Sequence, residues 1–387
     1  MPGGEPARAS QERWLRARGY LNKHRSELTA AAQELYPAAW RVAGTPLLAL
    51  PHWIPAAPVP LGQVTLSWRP DAAPGALTGL EPESESARPL RQDGTRYPSY
   101  AEALGELSRP RLLENRVCYR LLGASAGPPG THLTFGAGRY FDMINLCEAT
   151  AHELAAATLD GRVRASRRAP AARLPLRSLI GDPTDFRRRP VMAAVSALIL
   201  RRCGIQDEIR NEPWMILHWR DPSKVATGGG LYQVAPVGMF QPSHDAGWNH
   251  ANDFSLWRTF VRELSEELLG SGEDYGSDAT PIDYGRWPLY AELTAARQSG
   301  ALRVYWLGLG VDPLTLVADM LAVAVFDAPL FDSLIATGAR GNDEGHTDGF
   351  PFTAATIDRF TREEAMQPAG AALLRTAWHH RGTLLPP

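Results

Sequence analysis

The sequence predicts a mixed protein of the α/β (α+β) class, because short apolar stretches alternate with stretches of helical periodicity along its 387 residues. Glycine and proline clusters separate these stretches, as expected for turns between strands and helices. The chain shows no internal repeat of fixed period, so a solenoid or propeller is not predicted.

The second half carries the more regular pattern. Apolar runs predict strands over residues 191–201, 214–219, 231–240, 302–309 and 321–326. Helical periodicity predicts helices over residues 254–269, 289–298, 353–359 and 365–380.

The first half is interrupted more often by proline. It predicts helices over residues 12–36, 97–107 and 145–159, and strands over residues 64–68, 117–122 and 131–140. Residues 46–60 are rich in proline and are expected to be extended and irregular.

Length and composition suggest two domains. We predict a disordered tail over residues 1–10, an N-terminal α/β region over residues 11–165, a basic linker over residues 166–184 and a second domain over residues 185–387. The linker belongs to an arginine-rich stretch, residues 161–175, for which a phosphate or RNA patch is the alternative interpretation.

The net charge of −2 argues against a general polyanion binder, and no helix-turn-helix or P-loop motif is visible. No apolar run reaches the ~20 residues that a membrane-spanning helix requires. The three cysteines are far apart and are expected to be buried thiols. We therefore expect a soluble cytoplasmic protein that binds neither membrane nor nucleic acid; the sequence leaves the oligomeric state open, a homodimer included.

The most informative segment is Arg262-Glu263-Leu264-Ser265-Glu266-Glu267. If residues 254–269 form a helix, Trp257, Val261, Leu264 and Leu268 lie on one apolar stripe. The three glutamates then form an acidic flank beside this stripe. Like charges four residues apart cost a few tenths of a kcal/mol, roughly, and a bound Mg²⁺ would offset that repulsion. A solvated acidic face is the alternative interpretation.

The residue order resembles the second half of the Nudix signature, G-x5-E-x7-R-E-U-x-E-E-x-G-U, where U is aliphatic. The resemblance implies that Glu263, Glu266 and Glu267 bind Mg²⁺ or Mn²⁺, with one of them able to act as a base. It implies that Arg262 orients a carboxylate or a loop. For the second half, residues 185–387, it also implies a Nudix-like α/β/α sandwich, with the first half as an N-terminal extension or domain.

The segment before the helix also resembles the family. Gly238 matches the first signature glycine, and Gln241 falls near a position that is often acidic; we name both as candidate substrate-binding residues. An insertion over residues 243–252 contains His244, His250 and Trp248, which we name as candidate substrate-binding residues, His244 and His250 also as candidate metal ligands; loop positions and a core anchor are the alternatives.

The sequence departs from the signature at two further points. The first signature glutamate has no clear equivalent, Asp253 being the nearest acid, and the closing glycine comes one residue late, at Gly270. In the resembled family a later acid often completes the metal site, and four such acids lie downstream: Asp319, Asp327, Asp343 and Glu344.

Two functions are compatible with these residues. The first is a Mg²⁺-dependent hydrolase that cleaves the pyrophosphate of a nucleoside diphosphate linked to another group. The second is a catalytically silent Nudix-like nucleotide sensor or regulatory protein, which the insertion and the missing glutamate favour. In both, the partner is a nucleotide-like small molecule.

Overall fold

The computed structural model describes residues 4–110, 113–126, 130–162, 173–202, 212–220, 229–270, 280–335 and 345–386. The helices are α1 (Gly4–Lys23), α2 (Arg25–Gln33), α3 (Tyr100–Ala103), α4 (Tyr140–Leu159), α5 (Pro175–Ile180), α6 (Gly247–Asn252), α7 (Leu256–Leu269), α8 (Pro288–Ser299), α9 (Ala328–Leu334), α10 (Ala354–Arg362), α11 (Pro368–His379) and α12 (Arg381–Leu384). The strands are β1 (Val59–Pro60), β2 (Val64–Trp68), β3 (Val117–Ser125), β4 (Thr131–Arg139), β5 (Ala193–Arg201), β6 (Trp214–Arg220), β7 (Tyr232–Val234), β8 (Val237–Met239), β9 (Leu302–Val311), β10 (Ala318–Phe326) and β11 (Gly345–Pro351).

The larger sheet has the strand order β1-β9-β10-β5-β6-β11. β10 runs parallel to β5 and antiparallel to β9. β7 pairs with β6 and β8 pairs with β5, so the segment that contains both lies between these two strands, with a cis peptide bond between Ala235 and Pro236. Every residue of β5 is buried, which fits its almost uninterrupted apolar sequence.

Several helices bury their apolar faces against the larger sheet. α7 contacts β5 and β8, and α8 contacts β9. α11 contacts β5, β7, β9 and β10. The predicted mixed α/β class is confirmed, whereas the α/β/α sandwich layout stays a prediction.

A second, three-stranded sheet has the order β2-β4-β3. It joins the larger sheet directly, because Tyr119 N–H donates to the carbonyl of Phe240 and Leu121 N–H donates to the carbonyl of Val191. The rings of Tyr119 and Phe240 lie 4.6 Å apart, and Phe254 lies 5.0 Å from Tyr119. One continuous apolar core therefore underlies both halves of the chain.

A buried charged cluster joins the N-terminal helices to α4. The Glu148 carboxylate accepts a hydrogen bond from Arg18 and lies 3.4 Å from Nη2 of Arg25. Burial alone would raise the pKa of Glu148, but Arg25 and Arg18 outweigh it and lower this pKa to about 2. The Tyr100 hydroxyl lies 3.3 Å from Nδ1 of His152, whose ring stacks on Trp14. Charged groups are costly to bury unless they are paired. In this cluster both guanidinium groups pair with the one carboxylate of Glu148.

Several predicted boundaries differ from the structure. The tail predicted as disordered is helical from Gly4, and Ala7 is fully buried, because its apolar side continues the stripe of α1. The single helix predicted over residues 12–36 is two helices that meet at His24. In the predicted linker, residues 173–184 lie in the described part and include α5, which buries Leu176 and Ile180.

The domain division itself stays a prediction. β1 belongs to the predicted N-terminal region but pairs with β9 of the second half, so the two regions share a sheet as well as a core. No helix in the described ranges is long and apolar enough to cross a bilayer.

The charged cluster yields a prediction about stability. Glu148→Ala should lower the free energy of unfolding by about 3–5 kcal/mol, because it leaves two buried guanidinium groups without their carboxylate. Glu34→Ala is the control, since Glu34 pairs with Arg41 while half exposed to solvent, and it should cost less than about 1 kcal/mol. Urea unfolding measures both, and equal losses would contradict the assigned role.

His152 yields a prediction about pH. Burial, with a smaller contribution from Arg18, lowers the pKa of His152 from its ordinary 6.5 to about 3. Between about pH 6.5 and pH 3, His152 is therefore protonated in the unfolded chain but neutral in the folded protein. This group should lower the free energy of unfolding by about 1.4 kcal/mol per pH unit as pH falls from 6.5 towards 3. In His152→Gln that part of the slope should disappear; identical slopes in both proteins would refute the assignment.

Candidate functional site

Helix α7 carries the signature residues, and its ends are set by local sequence. The Ser255 side chain accepts a hydrogen bond from Arg258 N–H at 3.4 Å and caps the first turn. Gly270 ends the helix with φ of 69°, a left-handed conformation that glycine adopts without strain. The apolar stripe with Val261, Leu264 and Leu268 is buried as predicted. The late glycine therefore serves as the helix cap.

The carboxylate of Glu263 lies directly against Gly238 of β8. A Cβ atom at Gly238 would stand 1.9 Å from Cδ of Glu263 and 2.0 Å from its Oε2. Only glycine leaves room for this approach, so the two signature positions chosen from sequence meet in the structure.

The next turn of α7 contacts the neighbouring residue of β8. Glu267 is buried, and its Oε2 accepts a hydrogen bond from Val237 N–H at 3.2 Å. Glu266 is half-buried. Two of the three predicted glutamates therefore contact β8 at consecutive residues, on one side of the helix.

Arg262 contacts the loop that follows β8. Its Nη2 donates to the carbonyl oxygen of Gln241 at 2.8 Å and lies 3.4 Å from Oγ1 of Thr259. The expected role of Arg262 in orienting a carboxylate or a loop stays a prediction. The side chain of Gln241 points elsewhere, since its Oε1 accepts from the thiol of Cys118 at 3.5 Å.

Asp253, the nearest acid to the missing signature glutamate, is a buried anchor of the inserted loop. Its Oδ2 accepts from the N–H and the hydroxyl of Ser243, at 2.7 and 2.6 Å. Its Oδ1 accepts from the Tyr284 hydroxyl at 2.8 Å. These contacts occupy the carboxylate and fix the end of the loop, a role that the sequence did not predict because Tyr284 is distant along the chain.

The inserted loop is also held by the N-terminal region. Arg116 donates to the carbonyl oxygen of Ser243 at 2.6 Å, and Val117 N–H donates to Oδ1 of Asp245 at 2.9 Å. The guanidinium of Arg139 lies 3.4 Å from the other oxygen of Asp245. The three-stranded sheet therefore positions the insertion beside the signature helix.

Three further candidates, His244, Trp248 and His250, lie on this insertion. His244 Nδ1 accepts from Ala246 N–H at 3.3 Å, a contact within the loop. Trp248 is 47% exposed, which argues against the alternative of a core anchor and leaves its ring open to solvent. The candidate His250 holds the loop through its backbone, because its carbonyl oxygen accepts from the Tyr119 hydroxyl at 2.8 Å.

The later acids do not join Glu263. Asp319 pairs in register with Ala194, the neighbour of Val195, which itself pairs with Gly238. Adjacent strand residues point to opposite faces, so Asp319 lies on the sheet face away from α7. There burial raises its pKa to about 7, opposed by the hydrogen bond from Ser196. Asp327 lies 3.1 Å from Arg202. Asp343 and Glu344 fall outside the described residues.

The donor chemistry of this site suits a hard divalent cation, since the available ligands are carboxylate oxygens. Among the described residues, no three His, Cys, Asp or Glu side chains converge into a metal-binding group. Mg²⁺ is usually held by one or two carboxylates, waters and substrate phosphates. Glu263 and Glu267 could supply these one or two carboxylate ligands.

Comparison with known proteins adds little to this geometry. A solved structure described as a NUDIX hydrolase from Alicyclobacillus acidocaldarius is similar to part of the chain, with 15% sequence identity. The match covers 48% of this chain and 90% of that one, with a TM-score of 0.28. A score this low carries no argument about fold or activity. No family model and no curated protein matches the chain.

The close approach of Glu263 to Gly238 can be tested by a substitution at Gly238. In Gly238→Ala the Cδ of Glu263 must move from 1.9 Å to at least 3.4 Å from the new Cβ, the distance of ordinary contact. Because Glu263 ends in a flexible side chain, the free energy of unfolding should fall by less than about 1 kcal/mol. A crystal structure of the variant should show the displaced carboxylate. Gly62→Ala, with open space around it, is the control; an unmoved Glu263 would contradict the close approach.

Proposed function

We propose that this protein is a Mg²⁺- or Mn²⁺-dependent hydrolase of the Nudix type, which cleaves the pyrophosphate of a nucleoside diphosphate linked to another group. One observation carries the proposal: the signature glutamate Glu263 packs on the signature glycine Gly238, while Glu267 contacts the preceding residue of the same strand. Helix α7 and strand β8 thus meet, despite ten extra residues between them, and this contact supports the proposal.

The proposed roles are those that the resemblance implies. Glu263 and Glu267, which both contact β8, would hold the cation together with waters and substrate phosphates, and Glu266 is the third ligand that the resemblance implies. The cation, when bound, would polarise a phosphoryl oxygen and lower the pKa of an attacking water. Gly238 lets the Glu263 carboxylate lie directly against the strand backbone, and Arg262 holds the loop through the Gln241 carbonyl. Water adds to one phosphorus, the anhydride bond to the other breaks, and one of the glutamates takes the proton of the water.

The proposal extends to the fold and to the surroundings of the protein. The packing of α7 and of α11 on the larger sheet supports an α/β/α sandwich in the second half. His244 and Trp248 would contact substrate from the inserted loop, since the Trp248 ring is open to solvent. The partner would be a nucleotide-like small molecule in the cytoplasm.

A catalytically silent nucleotide sensor is the second candidate. The contacts of Asp253 favour this function. Its carboxylate accepts hydrogen bonds from Ser243 and Tyr284, so it does not replace the missing signature glutamate. A sensor would bind nucleoside diphosphates without turning them over.

Hydrolysis assays separate the two functions. The purified protein should release phosphate-containing products from a panel of nucleoside diphosphate sugars and dinucleoside polyphosphates with Mg²⁺, followed by chromatography. Glu263→Gln and Glu267→Gln should each lower the rate at least about 100-fold, since each removes a ligand of a cation that contributes several kcal/mol.

Glu292→Gln is the matched control, because Glu292 is exposed on α8. Turnover that survives both site variants would show that the assignment of these glutamates is wrong. Nucleotide binding by the wild type without turnover above the variants would favour the sensor.

A further inference from the structure

A row of three polar side chains crosses the outer strands of the larger sheet. Thr347 of β11 is opposite His218 of β6, and His218 is opposite Gln233 of β7. His218 Nδ1 lies 3.1 Å from the Thr347 hydroxyl oxygen. Thr347 is half-buried, whereas His218 and Gln233 are only 1% and 5% exposed. We call this set the polar row.

The strand register puts the polar row on the sheet face that carries Glu263. Val195 pairs with Gly238, whose missing side chain would point at Glu263. Arg201, six residues further along β5, pairs with Trp214, and His218 is four residues beyond Trp214. Residues separated by an even number along a strand share a face, and paired residues do too.

The opposite face of the same strands is apolar. Tyr232 of β7 contacts the ring of Phe360, with centroids 4.9 Å apart, and Phe350 of β11 lies 4.8 Å from Phe360. Alternate residues of these strands therefore build a packed aromatic core on one side and the polar row on the other. The polar residues are thus confined to the face of the glutamates.

Gln233 supplies the observation that points to a ligand. Its Nε2 atom is buried and has no hydrogen-bond partner among the residues that the structure describes. A buried hydrogen-bond donor without an acceptor destabilises a fold. A bound ligand that supplies an acceptor would satisfy the Gln233 amide and so explain why a polar residue stands at this position.

The spacing suits a nucleotide that also reaches the glutamates. Gln233 and Gly238 are five positions apart, in two short strands that are interrupted at Ala235 and Pro236, so the chain between them spans at most about 17 Å. A nucleoside diphosphate whose phosphates bind beside Glu263 can extend its base towards Gln233.

We propose that the polar row is the nucleobase subsite, in which the Gln233 amide donates to a ring nitrogen or carbonyl oxygen of the base. The inference rests on the proposed function, because it assumes that phosphates bind beside Glu263. His218 and Thr347, joined by their own contact, hold the far side of the base.

Calorimetric binding tests this inference without requiring turnover. The probes are ADP, GDP, CDP, UDP and inorganic pyrophosphate, each with Mg²⁺, added to the wild type, to Gln233→Leu and to Gln298→Leu, an exposed control on α8. Gln233→Leu should weaken the tightest nucleoside diphosphate about tenfold and reduce the preference among bases. Pyrophosphate affinity should not change, and the melting temperature should rise, because the unpaired amide is gone.

The outcomes are separable. Unchanged nucleotide affinity and base preference in Gln233→Leu would overturn the subsite but leave the proposed function intact. An equal loss of pyrophosphate affinity would also overturn it, since the effect would not belong to the base. If no probe binds the wild type, both proposals fail. Gln233→Met, a flexible side chain of similar length, replaces the leucine variant if that variant does not fold.

Discussion

The close approach of α7 to β8 is the constraint on which the candidate site depends. Gly238 lets the Glu263 carboxylate reach the backbone, and one turn later Glu267 accepts a hydrogen bond from Val237. The apolar stripe of α7 is buried, and the helix packs on β5. Because the buried stripe fixes the rotation of the helix, it also fixes which acids meet the strand.

The first half of the chain supports this arrangement from the other side. The three-stranded sheet contributes Tyr119 to the aromatic group around Phe240 and Phe254, at the two ends of the inserted loop. Arg116 then holds the loop backbone at Ser243. An insertion that would disorder an isolated signature is therefore stabilised by packing and hydrogen bonds from residues more than a hundred positions earlier.

Local patterns predicted much of this fold. The apolar runs of β5, β6 and β9 and the periodicity of α7 were sufficient, because burial and side-chain period decide those elements. The sequence singled out Gly238 and Glu263 separately, and their contact became visible only in the structure. The role of Asp253 could not be predicted, since it depends on Tyr284, thirty-one residues away along the chain. The polar row was missed because the sequence does not reveal strand register, and no strand was predicted where β11 lies.

The small strand β1 covers an edge of the larger sheet. β9 is ten residues long and apolar, and its outer edge would expose unpaired backbone groups that can template association with another chain. Val59 and Pro60 pair with this edge, and Leu48 exchanges both backbone hydrogen bonds with Val311 at its end. The proline-rich segment thus occupies backbone groups of β9 to which a strand of another chain could otherwise add.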